Sequence, residues 1–244
     1  DNTRLNMYLN GEADWMRGSI PPDQLPTLMQ RDDFQIVPAL GTYYYAMNQT
    51  EPPFDNVNLR KALNAAIDKQ VLVDKVSRGG QLPADTVVPT LGGYTPPMGN
   101  GFNVEKAKEY LAAAGYPNGE GFPDVTLIYN TSEGHKAIAE YAQQQWENNL
   151  NISIKIENNE WKTHLALGKE QQFQIMRLGW IGDYQDPNTF LELFYSFSGQ
   201  NYGKYANEEF DSIVADAALL PDGPERTAKL KAADRRELFS ETAA

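Results

Sequence analysis

The residues best suited to chemistry lie in one stretch, Arg177-Leu-Gly-Trp-Ile-Gly-Asp183-Tyr-Gln-Asp186-Pro187. Arg177 sits among apolar neighbours, and a guanidinium withdrawn from water requires a carboxylate or an equivalent acceptor. Three chemistries fit these residues. An internal Arg–Asp pair would hold an aromatic core. Alternatively, the stretch grips both ends of a zwitterion, with Asp183 taking an ammonium and Arg177 a carboxylate. In the third reading Asp183 and Asp186 are the paired acids of a carbohydrate-active hydrolase, a mechanism set by a carboxylate separation that sequence does not supply. Three positions apart in a loop closed by Pro187, the two acids lack the ligand spacing of a calcium loop.

The aromatic residues form a second group. Tyr43, Tyr44 and Tyr45 are consecutive, so on a strand Tyr44 faces away from its two neighbours. With Trp161, Trp180 and Tyr184 they either line a pocket tolerant of varied side chains or pack as core. His135 falls in the first turn of a predicted helix, where an imidazole is ordinarily solvated. Neither it nor His164 has a triad context, and no Gly-x-Ser-x-Gly elbow is present. A chain without cysteine offers no disulfide, thiolate zinc ligand or thiol nucleophile, and its two histidines exclude a three-histidine metal centre. We therefore expect neither metal nor cofactor.

These side chains depend on the elements that carry them. Helical patterning is expected over 24–30, and residues 34–37 and 42–47 are rich enough in aromatic and β-branched types to form strands. Leu59, Ala62, Leu63, Ala66 and Ile67 recur at helical spacing. Asp68 can cap a second helix over 70–76, ended by Gly79-Gly80. Four prolines in 81–101 predict a long irregular loop, which in a globular domain is functional or packed across a surface. Asn103 can cap a helix over 104–114. A strand at 125–129, a helix at 132–148 and a strand at 152–156 follow, an order that predicts a parallel right-handed crossover. A short helix over 160–167 leads to a strand over 173–178, placing the Arg177 stretch at a strand's carboxyl end, where open α/β sheets bind ligands. Helices are expected over 188–194, 208–217 and 224–239.

Composition narrows the partners. The 244 residues include 33 acidic and 21 basic side chains, a formal net charge of −12. That charge repels phosphate backbones, and no basic stripe offsets it, so nucleic acid is not expected. No apolar run approaches the roughly 18–20 residues that span a bilayer, and the first ten residues contain no apolar signal core. The helical pattern running up to Ala243-Ala244 leads us to expect a longer protein.

Several stretches, in their order and spacing, resemble a known family. They are Gly41-Thr-Tyr-Tyr-Tyr-Ala-Met-Asn48, Pro52-Pro-Phe-Asp55, Val57-Asn-Leu-Arg-Lys-Ala-Leu63, Tyr129-Asn-Thr-Ser132 with His135, Glu160-Trp-Lys-Thr163, and Gly179-Trp-Ile-Gly-Asp-Tyr184 with Asp186-Pro187. The chain is similar to the peptide-binding components of ABC importers, the extracytoplasmic solute-binding proteins of the oligopeptide and dipeptide type. This resemblance implies an α/β fold, a mixed sheet with βαβ crossovers flanked by helices, forming one lobe of a two-lobed protein. Residues 1–40 would be a piece of the first lobe, 41–235 the carboxyl-side ligand-binding lobe, and 236–244 the start of the return. It further implies a non-enzymatic, monomeric, periplasmic or extracytoplasmic protein that captures oligopeptides and delivers them to a membrane permease, with an anchor before Asp1 left open. Sugars and nickel chelates are alternative solutes within the family.

By the same resemblance, Asp183 takes the peptide ammonium, Arg177 and His135 meet the peptide carboxylate, and Trp161, Trp180 and Tyr44 line the cleft. A further basic position of the family falls on Gly168, which carries no charge. Where some members have a cysteine pair this chain has Gly41 and Ile181, so packing must hold the loop that follows.

Overall fold

The computed structural model describes residues 1–18, 20–99 and 101–235. Its centre is a four-stranded sheet of β1 (Gly41–Met47), β2 (Val125–Asn130), β3 (Ile154–Asn159) and β4 (Ile175–Ile181) in the order β1-β4-β2-β3. β2 runs parallel to both β3 and β4, while β1 pairs antiparallel with β4. Among the described residues no helix is long and apolar enough to cross a membrane.

Local sequence explains most of the helices. Asn56 caps α3 (Val57–Ala65) by accepting from the Asn58 amide, Asp68 caps α4 (Lys69–Val71) at the Val71 amide, and Asn103 caps α5 (Val104–Ala113) at the Lys106 amide. After β2, α6 (Glu133–Leu150) ends at Asn151 in the left-handed region, and after β3, α7 (Trp161–Lys169) is capped by Glu160. α8 (Asn188–Leu191), α9 (Glu208–Ala218) and α10 (Pro224–Arg235) complete the described chain, and two shorter helices precede β1, α1 (Asn2–Leu9) and α2 (Leu25–Leu28). The last four residues of the helix expected over 224–239, and the expected return at 236–244, lie outside the described residues.

Two expectations fail. Residues 34–37 form no strand, and Ile36 and Val37 are exposed at 57% and 74%, because among the described residues no strand lies beside them to complete a ladder. The helix after Asp68 widens into a π-helical turn at Leu72–Ser77 and stops at Arg78, which takes the left-handed conformation (φ 53°) one residue ahead of the glycines expected to do so.

Alternation along the strands divides the core between the two faces of the sheet. Tyr45, Met47, Leu127 and Ile175 meet α3, α5 and α6, while Tyr44, Ala46, Met176 and Leu178 meet the 81–101 loop and α8 to α10. Trp146 of α6 is fully buried and donates its indole N–H to the Leu63 carbonyl at 2.9 Å. Truncating such a residue costs about 3–5 kcal/mol. The middle of the expected loop, residues 86–94, packs across the sheet: Thr42 Oγ1 donates to the Val87 carbonyl at 2.7 Å, and Tyr94 OH donates to buried Asp234 of α10 at 2.8 Å.

Candidate functional site

The strand order makes successive connections diverge. β2 leads through α6 to β3 on one side, and β3 leads back through α7 past β2 to β4. Open α/β sheets bind ligands at the carboxyl ends of strands beside such a reversal. Asn130 ends β2, His135 opens α6, Trp161 opens α7, and Arg177 and Asp183 belong to β4 and the turn beyond it.

Arg177 lies opposite Tyr45 in the antiparallel register, with Tyr43 opposite Gly179. Its guanidinium stands over the Tyr43 ring, 4.7 Å from the centroid, and donates to Asn130 Oδ1 at 3.2 Å. Gly179 leaves room for it: a Cβ there would sit 3.4 Å from Arg177 Nη2 and 3.2 Å from the Thr42 carbonyl oxygen. The internal Arg–Asp pair is not formed. Arg177 makes no bond to a carboxylate among the described residues, and its buried Nε has no partner. A half-buried cation is thus held by a neutral amide and a π face, both too weak to neutralise it.

His135 is not solvated. It is half-buried with its ring 5.6 Å from Tyr43, and burial, followed by the Arg177 charge and His164, pushes its pKa down to about 3. His164 is fully buried, with Nε2 2.8 Å from the Arg177 carbonyl oxygen and its ring stacked on Trp161 at 6.0 Å. Burial and the Arg177 charge lower its pKa as well. Trp161 itself is about half exposed, as a cleft residue would be.

On the opposite face Trp180 is half-buried, its Nε1 3.4 Å from Thr189 Oγ1, which also accepts from the Asp183 amide at 3.1 Å. The Asp183 carboxylate is exposed and makes no hydrogen bond among the described residues. Asp186 is differently placed: both its oxygens accept from Arg226 of α10, at 2.7 and 2.8 Å, and Oδ1 also caps the Asn188 amide. Burial pushes its pKa up, but Arg226 and the cap outweigh this and leave it lowered. Its oxygens are committed to the fold, which removes one of the two acids of the hydrolase alternative.

Tyr44 is 5% exposed and packs on Phe194, so here it is core. The six aromatics therefore do not form one pocket. Three contributors escaped sequence reasoning: Tyr43 as the π face under Arg177, Asn130 and His164. Only Asn130 carried a usable signal, as a polar residue at the carboxyl end of a parallel strand. Gly168, where the family's further basic position falls, is closely packed: a Cβ there would lie 2.8 Å from Met176 Sδ and 3.0 Å from Tyr202, so a side chain would have to displace them. Gly41 and Ile181 are direct cross-strand partners, and the Gly182 amide bonds the Leu40 carbonyl at 2.8 Å, holding the loop that follows.

Residues 1–202 match the family model of the bacterial extracellular solute-binding proteins, family 5. The chain belongs to that family. It is 35% identical over 246 residues to an oligopeptide-binding protein of Bacillus subtilis and 34% identical over 250 residues to a periplasmic oligopeptide-binding protein of Escherichia coli, covering 96% of this chain and 45% of each relative. Among solved structures, a periplasmic oligopeptide-binding protein from Borrelia burgdorferi superposes with a TM-score of 0.92 at 37% identity over 98% of this chain and 48% of that one. The Haemophilus influenzae oligopeptide-binding protein in complex with the peptide RPPGFSPFR gives 0.91 at 32% identity, over 99% and 50%. The mixed α/β sheet with flanking helices is the fold of these proteins. The chain spans about half the length of the relatives it matches.

Proposed function

We propose that the chain is the carboxyl-side lobe of a two-lobed solute-binding component of an ABC importer, which captures oligopeptides between its lobes and passes them to a membrane permease. In this reading residues 41–235 form the ligand-binding lobe, 1–40 belong to the first lobe and 236–244 begin the return to it. The protein is a periplasmic or extracytoplasmic monomer and performs no chemistry on its ligand. Asp183 receives the ammonium, Arg177 and His135 the carboxylate, and Trp161 and Trp180 flank the peptide. Tyr44 supports the wall from behind.

One observation carries this reading. Among the described residues the Arg177 guanidinium has only a neutral acceptor, and it lies on the same strand and turn as the exposed Asp183 carboxylate, which makes no hydrogen bond among them. Exposed, each ion pair contributes about 0–1 kcal/mol; shielded by a second lobe, a charge-assisted hydrogen bond contributes about 1.5–3 kcal/mol. Closure therefore creates the affinity, and the isolated chain binds peptides more weakly than micromolar.

The test is calorimetry on the two-lobed protein with tri- to pentapeptides, their amino-acetylated forms, and Asp183→Ala. Acetylation and the substitution should each weaken binding tenfold or more, about 1.4 kcal/mol. Binding indifferent to both would make Asp183 a surface residue and turn the search to sugars and chelates.

A further inference from the structure

We propose that His164 is the positioning residue of the carboxylate anchor: its Nε2–H pins the Arg177 carbonyl where β2 and β4 part, and so sets where the guanidinium stands. The inference rests on the reading that Arg177 receives a peptide carboxylate.

β4 stays registered with β1 from Ile175 to Ile181, but its register with β2 covers only Leu127↔Ile175 and Ile128↔Met176. β2 continues alongside β3 as far as Asn130↔Asn159. Beyond Met176 the β2 side of β4 therefore lacks a strand among the described residues, and the first peptide past the parting is the one that carries Arg177. A backbone carbonyl withdrawn from water needs a donor. The chain brings one from α7, the His164 ring, at 2.8 Å.

The ring's own surroundings hold it at the parting. The Glu160 carboxylate accepts from the Lys162 and Thr163 amides at 2.7 and 3.4 Å, fixing the first turn of α7, and Trp161 stacks on the imidazole with an interplanar angle of 23°. A carbonyl accepts only, so Nε2 must carry the proton, and in the neutral ring Nδ1 is left as a lone pair. That atom is buried without a partner among the described residues. An imidazole used merely to fill space would incur this loss for nothing, whereas a phenyl ring would fill the niche without it. The residue type makes sense through its single donor. A lysine or arginine donor would add a second cation beside Arg177, which neutral imidazole avoids.

The test uses His164→Phe, which fills the space without a donor, and His164→Gln, which returns an N–H. The probes are tetra-alanine and its carboxyl-terminal amide, with amide hydrogen exchange at Leu178 and Gly179 read in parallel. Because the chain has two histidines, long-range nitrogen–proton NMR assigns the His164 tautomer directly. We expect the Nε2–H tautomer in the wild type. In His164→Phe the preference for the free carboxylate should fall about three- to tenfold, the loss of one hydrogen bond, and exchange at Leu178 should quicken, with His164→Gln restoring both. An Nδ1–H tautomer overturns the proposal, as does a phenylalanine variant that keeps both the preference and slow exchange. Should the wild type itself ignore amidation, the carboxylate reading of Arg177 fails. The exchange data then decide the pin alone: quickened by phenylalanine and restored by glutamine it stands, unchanged it falls.

Discussion

Removing Asp186 should unfold the protein more readily, while removing Asp183, three residues away, should not. The difference follows from geometry. Asp186 accepts two charge-assisted bonds from Arg226 at 2.7 and 2.8 Å, with only 23% of its side chain and 15% of the arginine's exposed, and it caps the Asn188 amide. Shielded charged bonds contribute about 1.5–3 kcal/mol and exposed pairs about 0–1. Discounting for the water that still reaches the pair leaves a coupling of about 2 kcal/mol. The lost bond from the Asn188 amide adds about 1, so Asp186→Ala should cost about 3 kcal/mol, or about 6–12 °C for a chain of this size. Asp183→Ala removes an exposed carboxylate without a partner among the described residues and should stay within about 0.5 kcal/mol. Urea unfolding of Asp186→Ala, Arg226→Ala and the double variant isolates the coupling. Because the folded pKa of Asp186 lies below its unfolded value, the contribution is present above pH ~4 and lost as pH falls through the lower, folded value. A coupling under about 0.5 kcal/mol, or an Asp183 cost equal to that of Asp186, would refute the assignment of one acid to the fold and the other to the surface.

Burial, against three hydrogen bonds, raises Asp234 to a pKa of about 7. Between pH ~4 and 7 the folded chain binds more protons here than the unfolded one, so this contribution declines as pH rises; melts of Asp234→Asn across that range should lack the decline. His135, pushed down to about 3, binds fewer protons when folded, so its contribution is present above pH ~6.5 and lost on acidification, opposing that of Asp234; its NMR signal should show no imidazolium at pH 5. Gly41→Cys with Ile181→Cys occupies directly opposed antiparallel positions, whose Cα separation of about 4.5–5.5 Å suits a disulfide. Oxidation should stabilise this variant by about 2–4 kcal/mol, read by melts with and without reductant.

Sequence by itself determined what is local. Asn103 followed by a helical stripe becomes a capped helix, consecutive tyrosines on a strand split between the two faces, and the order of residues 125–159 becomes a parallel crossover. The first two depend on hydrogen bonds or side-chain directions within a few residues, and the crossover follows from the strand–helix–strand order, so type and spacing suffice. The motifs carrying the family resemblance were legible for the same reason. Tertiary structure alone decided the partners. Arg177 meets Asn130, 47 residues away, where a carboxylate or an equivalent acceptor was expected; Asp186 meets Arg226, 40 residues away; and Tyr44 packs on Phe194 in the core. Residues 34–37 have the composition of a strand but nothing to pair with, and His164 matters because the register of β2 and β4 ends at Met176. Register and long-range packing are set by the free energy of the whole chain, and the spacing of residues along one segment does not contain them.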